Sequence, residues 1–356
     1  MQHPDEPTQA LPSFEAAGDT PELDTTVEGG STVAPDGPDA KPSGPRPLVW
    51  LLSALLVVAL IAGVVWFAVS TSRANREAAI RDTATSYLTS VADGDAALAL
   101  EHLAEQPANT ALLTDAVLAA SKEAAPLTDV QVGAIGGEEN APTVDVSYRL
   151  GDQPVETRLQ LTGDGRSSWK LVDGLGELTL ANLDALTVNG AELTEATNPV
   201  FPGTYTAAPV NDKVQLHGEP TATIASPTQD PFRMDVVPGL SELGHQTVLN
   251  AVRTRYDECL AATESRPANC PFGVSTDGVE VAAGSVRFAG ANDPWAAFAP
   301  VLDPAAMTAG GKIPFTVNAT ATVTRDGLTT EATTVLNGER GYTVDLTQDP
   351  AVVTWW

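Results

Sequence analysis

Residues 143–163 read TVDVSYRLGDQPVETRLQLTG, and their alternation decides the fold. Val144, Val146, Tyr148 and Leu150 alternate with polar neighbours, Gly151 to Pro154 form a turn, and Val155, Thr157, Leu159 and Leu161 alternate again. A period of two is what a half-buried strand requires, so the segment predicts an antiparallel hairpin. A third strand follows the turn at Gly163, Asp164 and Gly165 and places Trp169 and Leu171 on one face. Asp145, Ser147, Arg149, Glu156, Arg158 and Gln160 occupy the opposite positions, which predicts a sheet with one dry and one wet side.

Upstream of this meander the period is helical. Ile80, Ala84, Tyr87, Leu88 and Val91 form one apolar stripe between Ala74 and Ala92. Asp93, Gly94 and Asp95 interrupt it, and Asp95 is placed to cap a second short helix carrying Leu98, Leu100 and Leu103. A third helix is expected around Leu112, Leu113, Val117 and Leu118, before the period changes after Pro126. Amphipathic helices followed by an antiparallel meander predict an α+β domain over about residues 73–175, with the helices on the dry face.

Two strings in this domain, SYLTSVADGDAALALEHL at 86–103 and SSWKLVDG at 167–174, resemble the NTF2-like superfamily as it occurs in ectodomains of actinobacterial-type single-pass membrane proteins. The resemblance implies a curved, cystatin-like sheet wrapped around a helix to form a conical pocket. Tyr87, Tyr148 and Trp169 are then the candidates to line it. That superfamily includes isomerases and dehydratases with a carboxylate or histidine in the pocket. Asp145 falls on the wet face, which leaves His102 as the example of a base supplied by a helix or loop.

Further upstream, Leu48 to Val69 is twenty-two residues without a charge. At ~1.5 Å rise per residue, such a helix is long enough to cross a hydrocarbon core of ~30 Å. Trp50 and Trp66, near its two ends, match the preference of indole rings for the headgroup regions. A transmembrane helix over 48–70 is the expectation. The rival reading is a cleaved signal peptide ending near Ala68 and Ser70, but the run is longer than a signal h-region and an acidic stretch precedes it. Lys41 and Arg46 before the run and Arg73, Arg76 and Arg81 after it leave the flanking charge nearly balanced. The only two cysteines, Cys259 and Cys270, both lie C-terminal to the run; an even pair suits an oxidising compartment. We therefore expect a plasma-membrane protein with a cytoplasmic N-terminus and extracytoplasmic C-terminal domains.

Residues 1–47 carry nine acids against two bases and few large apolar groups, which predicts a disordered cytoplasmic tail. Within it, Thr25 and Thr26 sit among Glu22, Asp24 and Glu28, a setting like that of bacterial Ser/Thr kinase sites.

Downstream of the meander, residues 176–230 hold short apolar pieces, including LTVNG, FPGTY and VQLHG, and read as a small β-rich connector. Residues 231–356 repeat the earlier order. Ser241 is placed to cap a helix whose Leu249, Val252, Tyr256 and Leu260 share a face, and Cys259 in its last turns is expected to bridge to Cys270. Phe315, Val317, Ala319, Ala321 and Val323 alternate, Asp326-Gly327 turns, a strand runs to Leu336, Asn337-Gly338 turns, and Tyr342, Val344 and Leu346 alternate. A second helix-then-meander domain is expected, closing on an edge strand AVVTWW.

The formal charge of −27 excludes nucleic acid and anionic headgroups as natural partners, since both need a positive surface. His3, His102, His217 and His245 stand outside metal-ligand spacing, and phosphate-loop and GxSxG motifs are missing. The one SxxK string, Ser167 to Lys170, lies in a predicted strand without its companion motifs. No cofactor is expected. The reading is a membrane-anchored, non-enzymatic binding or interaction protein of the cell envelope, taking an envelope protein, a polymer or a small apolar ligand. Its alternatives are a pocket enzyme of isomerase or dehydratase type and a signalling protein with a phosphorylated tail.

Overall fold

The computed structural model describes residues 47–163 and 168–356, with side chains of the first helix given at Trp66 and from Ser70 onward. Thr25 and Thr26 therefore lie outside the described residues, as do Asp164 and Gly165 of the expected turn. Among the described residues no helix is long and apolar enough to cross a membrane; the side chains of most of 48–69 fall outside that description.

The fold is α+β, with more sheet than helix. Helix α1 (Pro47–Asp93) buries Ile80, Ala84, Tyr87, Leu88 and Val91, the stripe that the periodicity predicts. It stops at Gly94, whose N–H reaches back to Ser90 O at 3.0 Å. Asp95 then caps α2 (Ala96–Glu101), its carboxylate accepting from Leu98 N at 2.9 Å. The buried face of α2 is Ala96 and Ala99, whereas Leu98 is exposed. Small residues win there because α2 lies close to α3 (Asp115–Ala124), whose Asp115 carboxylate accepts from Ala96 N at 2.8 Å. Leu112 and Leu113, expected inside the third helix, precede its cap Thr114.

Four antiparallel strands follow in meander order: β1 (Leu127–Gly137), β2 (Pro142–Leu150), β3 (Gln153–Gly163) and β4 (Trp169–Leu171). The central pair has the register of the predicted hairpin, with Tyr148 opposite Val155 and Val144 opposite Leu159. Strand β1 has no clean period of two because two register shifts interrupt its pairing with β2. Their inner faces and α1 enclose one core, which also takes Phe201 from beyond the meander.

The segment read as a connector has a core of its own, containing Leu178, Val188, Val200, Tyr205, Ile224 and Met234. Its strands are β5 (Gly176–Leu180), β6 (Leu186–Val188), β7 (Thr197–Val200), β8 (Gly203–Pro209), β9 (Val214–Gly218), β10 (Thr221–Ile224), β11 (Phe232–Met234) and β12 (Val236–Leu240). β11 returns parallel to β5 and β12 pairs with β9, carrying the module past residue 230 to Leu240. It is docked on the first domain: Thr204 N donates to Ser121 Oγ at 2.8 Å, and Leu112 and Val117 belong to its core. FPGTY enters β8 with Phe201 and Tyr205 fully buried and the Tyr205 hydroxyl donating to Phe201 O at 2.8 Å.

Ser241 caps α4 (Glu242–Ala261), accepting from Gly244 N at 3.0 Å. The buried stripe is Val248, Val252, Tyr256 and Cys259, while Leu249 and Leu260 lie half-buried on its flanks. Cys259 and Cys270 form a disulfide with Cα atoms 5.6 Å apart. Three short strands, β13 (Glu280–Val281), β14 (Arg287–Gly290) and β15 (Val301–Asp303), line up along one edge of β16 (Thr308–Arg325). On its other edge β16 pairs with β17 (Leu328–Asp345), which in turn pairs with the terminal β18 (Val352–Trp355).

Here the expected second turn is absent. Asp326 and Gly327 turn the chain with φ of 52° and 79°, but Asn337 and Gly338 run straight through β17, opposite Thr316 and Phe315. The reason is packing. A Cβ on Gly338 would stand 3.2 Å from the tip of the Phe315 ring, so the glycine makes room for an aromatic across the ladder. What reads as two short strands is one continuous strand of a hairpin whose two arms are eighteen residues each.

Two outcomes test this assignment. Asn337→Val, which a two-residue hairpin turn would reject, leaves stability in urea within ~0.5 kcal/mol, whereas Gly338→Val costs about 1–3 kcal/mol by forcing Phe315 aside. Reducing the Cys259–Cys270 bridge lowers stability by roughly 2–3 kcal/mol, read as a shift of the urea midpoint.

Candidate functional site

The place where the NTF2-like resemblance puts a pocket is filled. Tyr87, Tyr148 and Trp169 are each almost fully buried and belong to one packed cluster with Leu159 and Leu161. The Tyr87 hydroxyl donates to Gly174 O, and the Tyr148 hydroxyl donates to Ala225 O at 2.6 Å. A Cβ on Gly174 would fall 2.5 Å from Leu103 and 3.4 Å from the Tyr87 ring, so glycine is what lets the backbone approach that close. The Arg76 guanidinium lies over Trp169 at 5.4 Å and closes the end of the core. The two tyrosines are structural, each hydroxyl tied to a backbone carbonyl, Trp169 packs in the same core with its indole N–H unpartnered, and none of the three lines a cavity described below.

The candidate base fares no better. His102 ends α2 half-buried, and burial followed by the nearby Lys170 charge lowers its pKa. A base needs a partner that holds the ring toward a substrate space; the charges acting on His102 are those of the exposed Lys170 and Glu101. Asp173 is raised by burial, against a hydrogen bond from Gln160 N at 2.8 Å, and its carboxylate lies near the buried Tyr87 hydroxyl, which is itself committed to Gly174 O. Among the described residues no three His, Cys, Asp or Glu side chains gather in a way that could hold a metal.

Among the described residues three larger concave regions stand out. The wet face of β1–β3 forms a groove of about 640 Å³ crossed by the Arg158–Asp145 ion pair at 2.7 Å. It is polar and wide open, and both charges of the pair are largely in solvent, so it holds little binding energy. A second polar hollow of about 490 Å³ lies between α4 and the loop before β18.

The third is different in chemistry. Between the β16–β17 arm and the segment around Val274–Val286 lies a cleft of about 360 Å³, lined by Val281, Val286, Ala319, Ala321, Val323 and Leu336. Its floor exists because the dry face of β16 continues as Ala319, Ala321 and Val323 beyond the reach of α4. The small side chains of Ala319, Ala321 and Ala332 leave the space that larger residues occupy nearer Phe315. Ser275, Thr333 and Thr334 supply the polar rim. Such a site, apolar with a few polar groups at its edge, binds by desolvation rather than by charge. The sequence signal for it was present in the alternating run from Phe315 to Val323, but as a core face and not as an opening.

No known protein family, curated protein or solved structure matches the chain.

Burial raises the hydroxyl pKa of all five tyrosines, Tyr256 to about 12 and Tyr87, Tyr148, Tyr205 and Tyr342 further. A tyrosine with a raised folded pKa contributes stability that is fully present below the unfolded value near 10 and is lost as pH rises through the folded one. The expected result is that tyrosinate absorbance at 295 nm stays low at pH ~10.5 and appears together with unfolding. A separate titration step before unfolding would show that some of these rings are open to solvent.

Proposed function

We propose that this chain is a membrane-anchored, extracytoplasmic binding protein without catalytic activity, and that the cleft under the β16–β17 arm is where it takes an apolar ligand. The observation that carries this reading is the cleft itself: about 360 Å³ of mainly aliphatic lining, left open to solvent. Burying aliphatic surface from a ligand and from the half-buried Val281, Val323 and Leu336 yields roughly 25 cal/mol per Å² removed from water.

The uncharged run Leu48–Val69 supports the anchor, and the Cys259–Cys270 disulfide supports an oxidising side of the membrane for the folded part. A polymer of charged sugars or a nucleic acid fits the acidic chain poorly; an acyl chain or an apolar side chain fits the cleft. The helices over one face of β1–β4 are compatible with an NTF2-like layout for the first domain. An enzyme of that type, however, needs the space that Tyr87, Tyr148 and Trp169 occupy. The reading is therefore binding in the C-terminal domain and scaffolding in the first two.

The test uses the full chain in lipid nanodiscs and a diazirine-bearing fatty acid, with labelled residues identified by mass spectrometry. Labelling is expected within 274–286 and 319–336, and Ala321→Trp, which fills the cleft, should weaken it by ~10-fold, equivalent to about 1.4 kcal/mol. Labelling confined to residues 48–69, or unchanged by Ala321→Trp, overturns the cleft as the binding site.

A further inference from the structure

The arm that covers the cleft also ends in an open strand margin. Trp356 N–H donates to Gly341 O at 3.0 Å, so Gly341 directs its peptide groups toward β18 and away from β16. That direction alternates along a strand, and the β16–β17 register runs without a shift from Thr308 opposite Asp345 to Arg325 opposite Leu328. Thr329, Glu331, Thr333, Val335, Asn337 and Glu339 consequently point their N–H and C=O groups outward too. β18 pairs only with Tyr342 to Asp345 and covers none of the six.

Proteins usually blunt such a margin with proline, a bulge or projecting lysines. β17 contains no proline, no lysine and no bulge. Arg340 is drawn aside to Pro271 O at 3.1 Å and Glu339 is paired with Lys312 at 3.3 Å, which leaves Glu331 as the charge standing on the margin. Val335 and Leu328 are 57% and 76% exposed, apolar groups that nothing among the described residues covers.

We propose that this margin pairs antiparallel with the same margin of a second copy, about a twofold axis through Thr334. The chemistry narrows the occupant to polypeptide, because a ladder of alternating donors and acceptors is answered by another backbone and not by a lipid or a sugar. Self-complementarity then selects a second copy. With the axis at Thr334 all six outward residues find partners: Thr329 meets Glu339, Glu331 meets Asn337, and Thr333 meets Val335 of the other copy. On the dry face Ala332 meets Leu336, which joins the two apolar clefts across the seam. Moving the axis to Val335 sets Glu331 against Glu339, a like-charge pair that is destabilising across strands. Moving it to Thr333 leaves Glu339 of each copy opposite the Asp326-Gly327 turn. The pairing does not depend on what the cleft binds.

The test is disulfide trapping of the full chain in its own membrane, read on a non-reducing gel. Thr334→Cys lies on the axis, in a pair whose Cα atoms would be about 4.5–5.5 Å apart, within the range that a disulfide spans. It should give a dimer of twice the chain mass. Leu328→Cys, also exposed but opposite Arg340, should give several-fold less. In the Thr334→Cys background, Asn337→Glu places like charges opposite Glu331 and should cut the dimer several-fold, while Asn337→Lys should preserve or raise it. Val335→Pro, which removes an outward N–H without touching the β16 ladder, should also abolish it. Near-UV circular dichroism verifies that each variant is folded. No dimer from folded Thr334→Cys, equal trapping at Leu328→Cys, a species joined only to a chain of different mass, or indifference to the charge at residue 337 overturns the proposal. Loss of fatty-acid labelling with trapping intact would instead remove the cleft reading alone.

Discussion

The uninterrupted ladder between Thr308–Arg325 and Leu328–Asp345 is the constraint on which the C-terminal domain depends. Helix α4 is twenty residues, about 30 Å, whereas eighteen strand residues reach nearly twice as far, so one helix cannot cover the whole sheet face. The half that it covers becomes the core of Phe315, Val317, Tyr342 and Val344. The half that it does not cover becomes the aliphatic cleft and the open margin of β17. Both surfaces to which we assign binding are thus consequences of a mismatch in length between a helix and a hairpin.

The first domain shows the opposite balance. Its strands are shorter, and α1, α2 and α3 leave little of the dry face bare. Three large aromatic residues meet in its interior, and the two tyrosines satisfy their hydroxyls on the carbonyls of Gly174 and Ala225. A buried hydroxyl left without a partner costs roughly 1–3 kcal/mol, so those carbonyls decide where the rings can sit. Because Ala225 belongs to the second module, the same bond also ties the two modules together. Phe201 in one core and Leu112 and Val117 in the next have the same effect, which makes the middle module a shared wall and not a spacer.

Much of this was legible in the order of residues. The stripe of α1, the caps Asp95 and Ser241, the β2–β3 hairpin, the Asp326-Gly327 turn and the cysteine pair follow from local rules whose physics acts over a few residues. The misreadings share another cause. Asn337-Gly338 has the letters of a hairpin turn, but whether glycine supplies a positive φ or merely room for a ring depends on Phe315, twenty-three residues away. Of the leucines expected along the second helix, Leu103 is buried and Leu100 packs against the core, but Leu98 is exposed and the buried face of α2 is Ala96 and Ala99, because the neighbouring α3 lies close. β1 escaped notice because its bulges spoil the alternation that betrays a strand.

What the sequence determined by itself is therefore the set of local elements, the α+β class and the acidic, disulfide-bearing character of the chain, since propensity, capping and alternation are properties of neighbours. The tertiary structure alone decided whether each apolar face is core or opening. The Tyr148 face and the Ala321 face alternate identically along their strands, yet one is sealed by helices and the other borders a cleft. Alternation records which way a side chain points; only the length and position of the covering element settle what it meets there.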